Sequence, residues 1–125
     1  MKKKILLIDD NEEFKDMLFE YLKMYGFEIL SAENGDKGIS LAIENIPDLI
    51  FLDVSMPSKT GIEVLKELQN NESTKEIPVI VITGTHFDTD TLDIYKKEKN
   101  MKCFMHKNIE LDIIGEKVKE LIGFN

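Results

Sequence analysis

Five side chains in this 125-residue sequence have the types and spacing to do chemistry together: Asp9, Asp10, Asp53, Thr83 and Lys107. Each lies at or just after the end of a short apolar run. Three carboxylates gathered at one place repel one another, and either a raised pKa or a bound cation must offset that repulsion. A cluster of oxygen donors without sulfur or imidazole suits a hard ion such as Mg²⁺. Such an ion binds through one or two carboxylates and keeps positions for water and phosphate oxygens. Lys107 is a point-charge phosphate binder and Thr83 offers a hydroxyl donor. The set therefore fits an anionic phosphoryl group, with Asp53 as candidate nucleophile, since an Asp carboxylate can form an aspartyl-phosphate. Taken singly, each residue has a blander use. An Asp after a strand more often caps the next helix or faces solvent, and a lone Thr or Lys says little. The common placement of all five is what points to chemistry.

That placement depends on the elements around them. Apolar, β-branched runs occur at Lys4–Ile8, Phe27–Ser31, Leu49–Leu52, Val79–Ile82 and Lys102–Met105. Between them the apolar residues take helical spacing. Phe14, Met17, Leu18, Tyr21, Leu22 and Tyr25 form one helical face, with Asn11 opening it and Gly26 as C-cap. Ile39, Ala42, Ile43 and Ile46 predict a second helix, from Asn34-Gly35 to the residue before Pro47. Ile62, Leu65 and Leu68 predict a third. A weaker one runs from about Asp88 to Lys99, with Leu92 and Tyr95 as its apolar pair. Leu111, Ile114, Val118, Leu121 and Ile122 predict the last. Helical crossovers between strands imply a parallel sheet covered on both faces. The expected architecture is α/β, a doubly wound flavodoxin-like (βα)5 fold with strand order 2-1-3-4-5. Ligands in such folds bind at the carboxyl ends of the strands, near the switch in strand order. Because strands 1 and 3 are neighbours there, Asp9, Asp10 and Asp53 should converge.

Composition removes other classes. The length predicts one domain over 1–125, with no room for a catalytic domain beside a DNA-reading one. The 24 acidic and 16 basic residues give a net charge of −8, which opposes binding to nucleic-acid phosphates. No apolar run approaches the roughly 18–20 residues that span a bilayer, and the Met1–Ile8 start lacks a cleavage site, so a cytoplasmic protein is expected. Cys103 is the single cysteine, which excludes an internal disulfide and a cysteine zinc site, and it reads as a buried core residue. His86 and His106 read as surface residues, and the six methionines mainly as core filling. Glu12, Glu13, Asp16 and Glu20 read as the solvated face of the first helix.

The motifs resemble the response-regulator receiver family, the CheY-like phosphoacceptor domains of two-component signalling. They are Ile8-Asp9-Asp10-Asn11, then Leu52-Asp53-Val54-Ser55-Met56-Pro57 with Gly61, then Pro78–Gly84, and Lys107. The resemblance spans essentially the whole chain. It implies that Asp53 accepts a phosphoryl group from a histidine kinase or histidine phosphotransferase. It implies that Mg²⁺ is held by Asp9, Asp10, Asp53 and the backbone carbonyl of Ser55, with Asp9 acting through water. Thr83 and Lys107 would contact the phosphoryl oxygens, and Thr83 and Phe104 would form the switch. Phosphorylation would shift a population between two states, read by a downstream target or effector domain on the face of the fourth helix, fifth strand and last helix. Such a protein is a signalling phosphoacceptor rather than an enzyme, catalysing only its own phosphorylation and slow dephosphorylation. Ser55 and Thr85 fall where the family tunes that loss.

The chain departs from the pattern at two places. Asn108 stands where a proline usually follows the lysine, so the loop must hold Lys107 differently or the Lys107-Asn108 bond must be cis, at a cost of about 2.5–4 kcal/mol. Asn100-Met101 replaces a small Gly-Ala pair. These departures motivate an alternative, a pseudo-receiver that binds partners without phosphorylation. A doubly wound nucleotide-binding enzyme is a third reading, opposed by the absence of G-x-x-x-x-G-K-S/T and G-x-G-x-x-G after the first strand.

Overall fold

The computed structural model describes residues 2–54, 56, 59–84 and 89–124. Among these residues strands and helices alternate: β1 Lys4–Ile8, α1 Glu12–Lys23, β2 Glu28–Ala32, α2 Gly35–Asn45, β3 Leu49–Asp53, α3 Gly61–Gln69, β4 Val79–Thr83, α4 Thr89–Lys96, β5 Met101–His106 and α5 Leu111–Ile122. The five strands pair in parallel in the order β2-β1-β3-β4-β5, as the sequence predicts. Every residue of β3 and of β4 is buried, because these central strands are covered on both faces. The edge strands β2 and β5 are only partly covered.

Alternation along the strands divides the core in two. Ile5, Leu7, Phe51, Ile80 and Ile82 pack with Phe14, Leu18 and Leu22 of α1 and with Ile114 and Val118 of α5. Leu6, Ile8, Ile50, Leu52 and Val81 pack with Ala42 of α2, Val64, Leu65 and Leu68 of α3, and Tyr95 of α4. Helices therefore cover both faces.

Helix starts follow their caps. The Asn11 and Asn34 side chains accept from the N–H groups of Phe14 and Lys37, and Thr60 with Glu63 forms a capping box at α3. Helix ends differ from the sequence reading. α1 stops at Lys23, two residues before Tyr25. Tyr25 and Gly26 form a turn on Leu22 and Lys23, and Gly26 adopts φ +87°. Ile46 is left-handed at φ 45°, because Pro47 denies it the helical region. Ile43 and Ile46 sit about half exposed rather than in the core. Cys103 is half-buried, not fully buried, because it lies on an edge strand. Burial still pushes its thiol pKa upward.

Asn100 explains one departure. It is buried, its N–H donates to Gln69 Oε1 and its side-chain amide donates to the Leu65 carbonyl. The residue thereby clasps α3 to the start of β5. Lys102 loops out of the β4–β5 register between Met101 and Cys103.

Candidate functional site

The carboxyl ends of β1 and β3 lie side by side, with Ile8 opposite Leu52. The next residues, Asp9, Asp10 and Asp53, offer carboxylate oxygens that all lie within 4.8 Å of one another. Asp9 and Asp53 are 1% and 4% exposed, and Asp10 is open to solvent. Burial denies water to two of the charges, so protein groups or a cation must satisfy them.

Lys107 supplies part of that. Its Nζ stands 2.8 Å from Asp9 Oδ2, 3.0 Å from Asp9 Oδ1 and 3.7 Å from Asp53 Oδ2. The approach to Oδ2 is an ion pair by distance without the direction of a hydrogen bond, so this buried oxygen retains acceptor capacity. Asp9 Oδ1 also accepts from the Asn11 N–H at 2.9 Å. The Asp9 N–H donates to the Ala32 carbonyl at 3.0 Å, which fixes the first acid to the sheet. The Lys107–Asn108 bond is trans, as are the other described peptide bonds. The loop nonetheless delivers Lys107, because its N–H continues the ladder onto the Thr83 carbonyl at 2.8 Å.

Thr83 ends β4 and is 1% exposed. It follows Ile82, which pairs with Asp53, so its backbone lies one step beyond the third acid. Phe104 on β5 is half-buried and meets the Tyr95 ring edge-to-face, with centroids 5.7 Å apart. Ser55, Pro57, Thr85 and His86 lie outside the described residues. The structure thus brings together Asp9, Asp10, Asp53 and Lys107, with Thr83 at the adjoining strand end.

Two participants escape the sequence reading. Phe14 reads there as core, yet its ring lies 5.1 Å from Lys107 Nζ. Tyr95 reads as half of an apolar pair, yet its hydroxyl reaches the start of α3, where a Cβ on Gly61 would meet it at 2.8 Å. Burial pushes the Tyr95 pKa up to about 12, and the Asp53 charge adds to the rise. A cleft of about 580 Å³ runs from Asp10 past Met56 and Thr60 to Thr91, Ile94 and Tyr95 of α4.

The donor set fits a hard divalent cation, since it is made of carboxylate oxygens, one of them, Asp9 Oδ2, buried without a directed partner. No helix among the described residues is long and apolar enough to cross a membrane.

Known proteins resemble this chain in sequence and fold. The family described as "Response regulator receiver domain" matches residues 5–119. Protein PilH of Pseudomonas aeruginosa is 27% identical over 120 residues, covering 96% of this chain and 98% of PilH. The chemotaxis protein CheY4 of Vibrio cholerae superposes with a TM-score of 0.89 at 21% identity, covering 98% of this chain and all of that one. A sensor histidine kinase receiver domain from Pseudomonas aeruginosa, with a magnesium ion coordinated in its active site cleft, superposes with a TM-score of 0.87 at 20% identity, covering 98% and 99%.

Proposed function

The chain belongs to the response regulator receiver family, and from that premise we propose that it is a phosphorylation-controlled switch whose phosphoacceptor is Asp53. The observation that carries the reading is the cluster of Asp9, Asp10 and Asp53 with Lys107 set across it. Asp9, Asp10 and Asp53 would hold Mg²⁺, and the Ser55 carbonyl would complete the set. The ion, when bound, offsets negative charge on the acids and on the phosphoryl oxygens.

The protein's own part is positioning. An Asp53 carboxylate oxygen attacks the phosphorus of a donor phosphohistidine. A P–O bond forms as the P–N bond breaks, and the electron pair returns to the imidazole nitrogen, which takes a proton from solvent. Lys107 stabilises the transferred oxygens and Thr83 donates a hydrogen bond to them. Its movement toward the phosphoryl group makes room for Phe104 to turn inward, which biases two pre-existing conformations. The donor is a histidine kinase or histidine phosphotransferase, and the readout is a downstream protein or effector domain. We assign the whole of 1–125 to this receiver and place it in the cytoplasm.

Incubation with phosphoramidate or acetyl phosphate and Mg²⁺, followed by intact-mass measurement, tests the proposal. A phosphate-sized adduct that is absent in Asp53→Asn is expected. No adduct, or one that survives the substitution, overturns it.

A further inference from the structure

Lys107 is a flexible four-carbon stem ending in a point charge, so its ammonium goes where its surroundings put it. The backbone after it gives little help. His106 to Ile109 form a turn closed by the Ile109 N–H on the His106 carbonyl at 3.2 Å, Asn108 is exposed, and no proline ring fixes the chain there. The restraint comes from α1 instead. Phe14 is 6% exposed, the Lys107 side chain is 13% exposed, and Nζ stands 5.1 Å from the ring centroid. A cation over an aromatic face is attracted to it, more strongly when both are desolvated.

The ring and the acids bound the ammonium together. Asp9 and Asp53 draw it into the cluster. Phe14 stands against it beside a small cleft of about 220 Å³, lined by Asn11, Glu13, Phe14, Met17 and Lys107, into which the stem would otherwise be free to turn. One residue ties the ring to the acids. Asn11 Oδ1 accepts from the Phe14 N–H at 3.1 Å, and the Asn11 N–H donates to Asp9 Oδ1 at 2.9 Å. The cap of α1 thereby sets ring and carboxylate in one frame.

We propose that Phe14 is a positioning residue, whose ring face holds the Lys107 ammonium over the Asp9–Asp53 gap where phosphoryl oxygens would arrive. This rests on the phosphoacceptor reading above. An aliphatic residue would fill the same core space without supplying the face.

Stepwise fluorination of the Phe14 ring, by site-specific incorporation, weakens the negative face while hardly changing its shape. The rate of Asp53 phosphorylation by phosphoramidate should fall with each fluorine, reaching about threefold to tenfold, the size of a partly desolvated cation–π contact. Phe14→Leu should match the low end of the series and Phe14→Tyr should stay near the wild-type rate. In a Lys107→Ala background the series should be flat, although any loss of folding stability would persist. A flat series with Lys107 present overturns the inference. If the wild-type protein takes up no phosphoryl group, the phosphoacceptor reading falls by itself, and NMR then decides the inference alone. Lys107 ε-protons shifted upfield by the ring, with the shift lost in Phe14→Leu, support it. A wild-type shift at the random-coil position overturns it.

Discussion

Asp9 shows how one residue can be held and still be available. It is buried, its Oδ1 is taken by the Asn11 N–H and the Lys107 ammonium, and its Oδ2 meets the ammonium off the direction of a hydrogen bond. Asp10 beside it is exposed. A divalent ion would relieve the remaining repulsion, and binding to the folded state alone stabilises it by mass action. Mg²⁺ at a hundredfold excess over its Kd should therefore add about 2.7 kcal/mol, seen as a rise in Tm that EDTA reverses. Asp10→Asn should lose most of that gain while the metal-free Tm hardly moves, because the side chain faces solvent. A full gain in Asp10→Asn would place the ion elsewhere. The acids, Thr83 and Lys107 were legible in the sequence because strand ends locate them by topology alone. Phe14 was not. Its helical spacing and apolar character are those of any core residue, and its second use depends on where a lysine 93 positions later ends its reach.

Among elements, α4 has a single buried side chain among its described residues. Tyr95 is 3% exposed, whereas Leu92 is half-buried and Ile94 exposed. The Tyr95 hydroxyl sits at the start of α3 so closely that a Cβ on Gly61 would meet it at 2.8 Å, with the Val54 Cα and Asp53 carbonyl at 3.0 and 3.1 Å. Gly61 is thus required by close approach, which gives the family-motif glycine a physical reason in this chain. The ring meanwhile touches Phe104, so α4 joins the start of α3 to β5. Burial raises the Tyr95 pKa from 10.0 to about 12, and the sign of the pH effect follows. Above pH 10 the unfolded chain gives up this proton while the native state keeps it, so stability is whole below pH 10 and falls as pH rises toward 12. Urea midpoints measured across that window should decline less steeply in Tyr95→Phe. Tyr21, raised chiefly by burial, declines with the same sign in both proteins, so the difference isolates Tyr95. Equal slopes would mean that Tyr95 ionises as freely in the native state as in the unfolded chain. The order and faces of the elements were legible, since period and length distinguish buried parallel strands from amphipathic helices. The link from α4 to α3 was not, because eight residues of weak pattern do not reveal which way the helix leans.

The whole molecule is unevenly secured. β1, β3 and β4 are buried between two helical layers, and α1, α2, α3 and α5 each commit several residues or close glycine contacts to the core. α4 commits one among its described residues, and it sits beside β5, a partly exposed edge strand with a bulge at Lys102. Local opening costs least where buried apolar contact is smallest, so this region should exchange between conformations without unfolding the rest. That is the property a switch surface needs, since a phosphoryl group can move only an equilibrium whose states differ by a few kcal/mol. Native-state hydrogen exchange followed by residue should find the α4 amides opening at the lowest free energy of the five helices, while β3 and β4 amides exchange only with global unfolding. Phosphorylation, or Mg²⁺ with a phosphoryl mimic, should change protection in α4 and β5 and leave α2 as it was. If α4 proves as protected as α1, the bistable element must lie elsewhere, and the Tyr95–Phe104 contact would then act as a fixed part of the core.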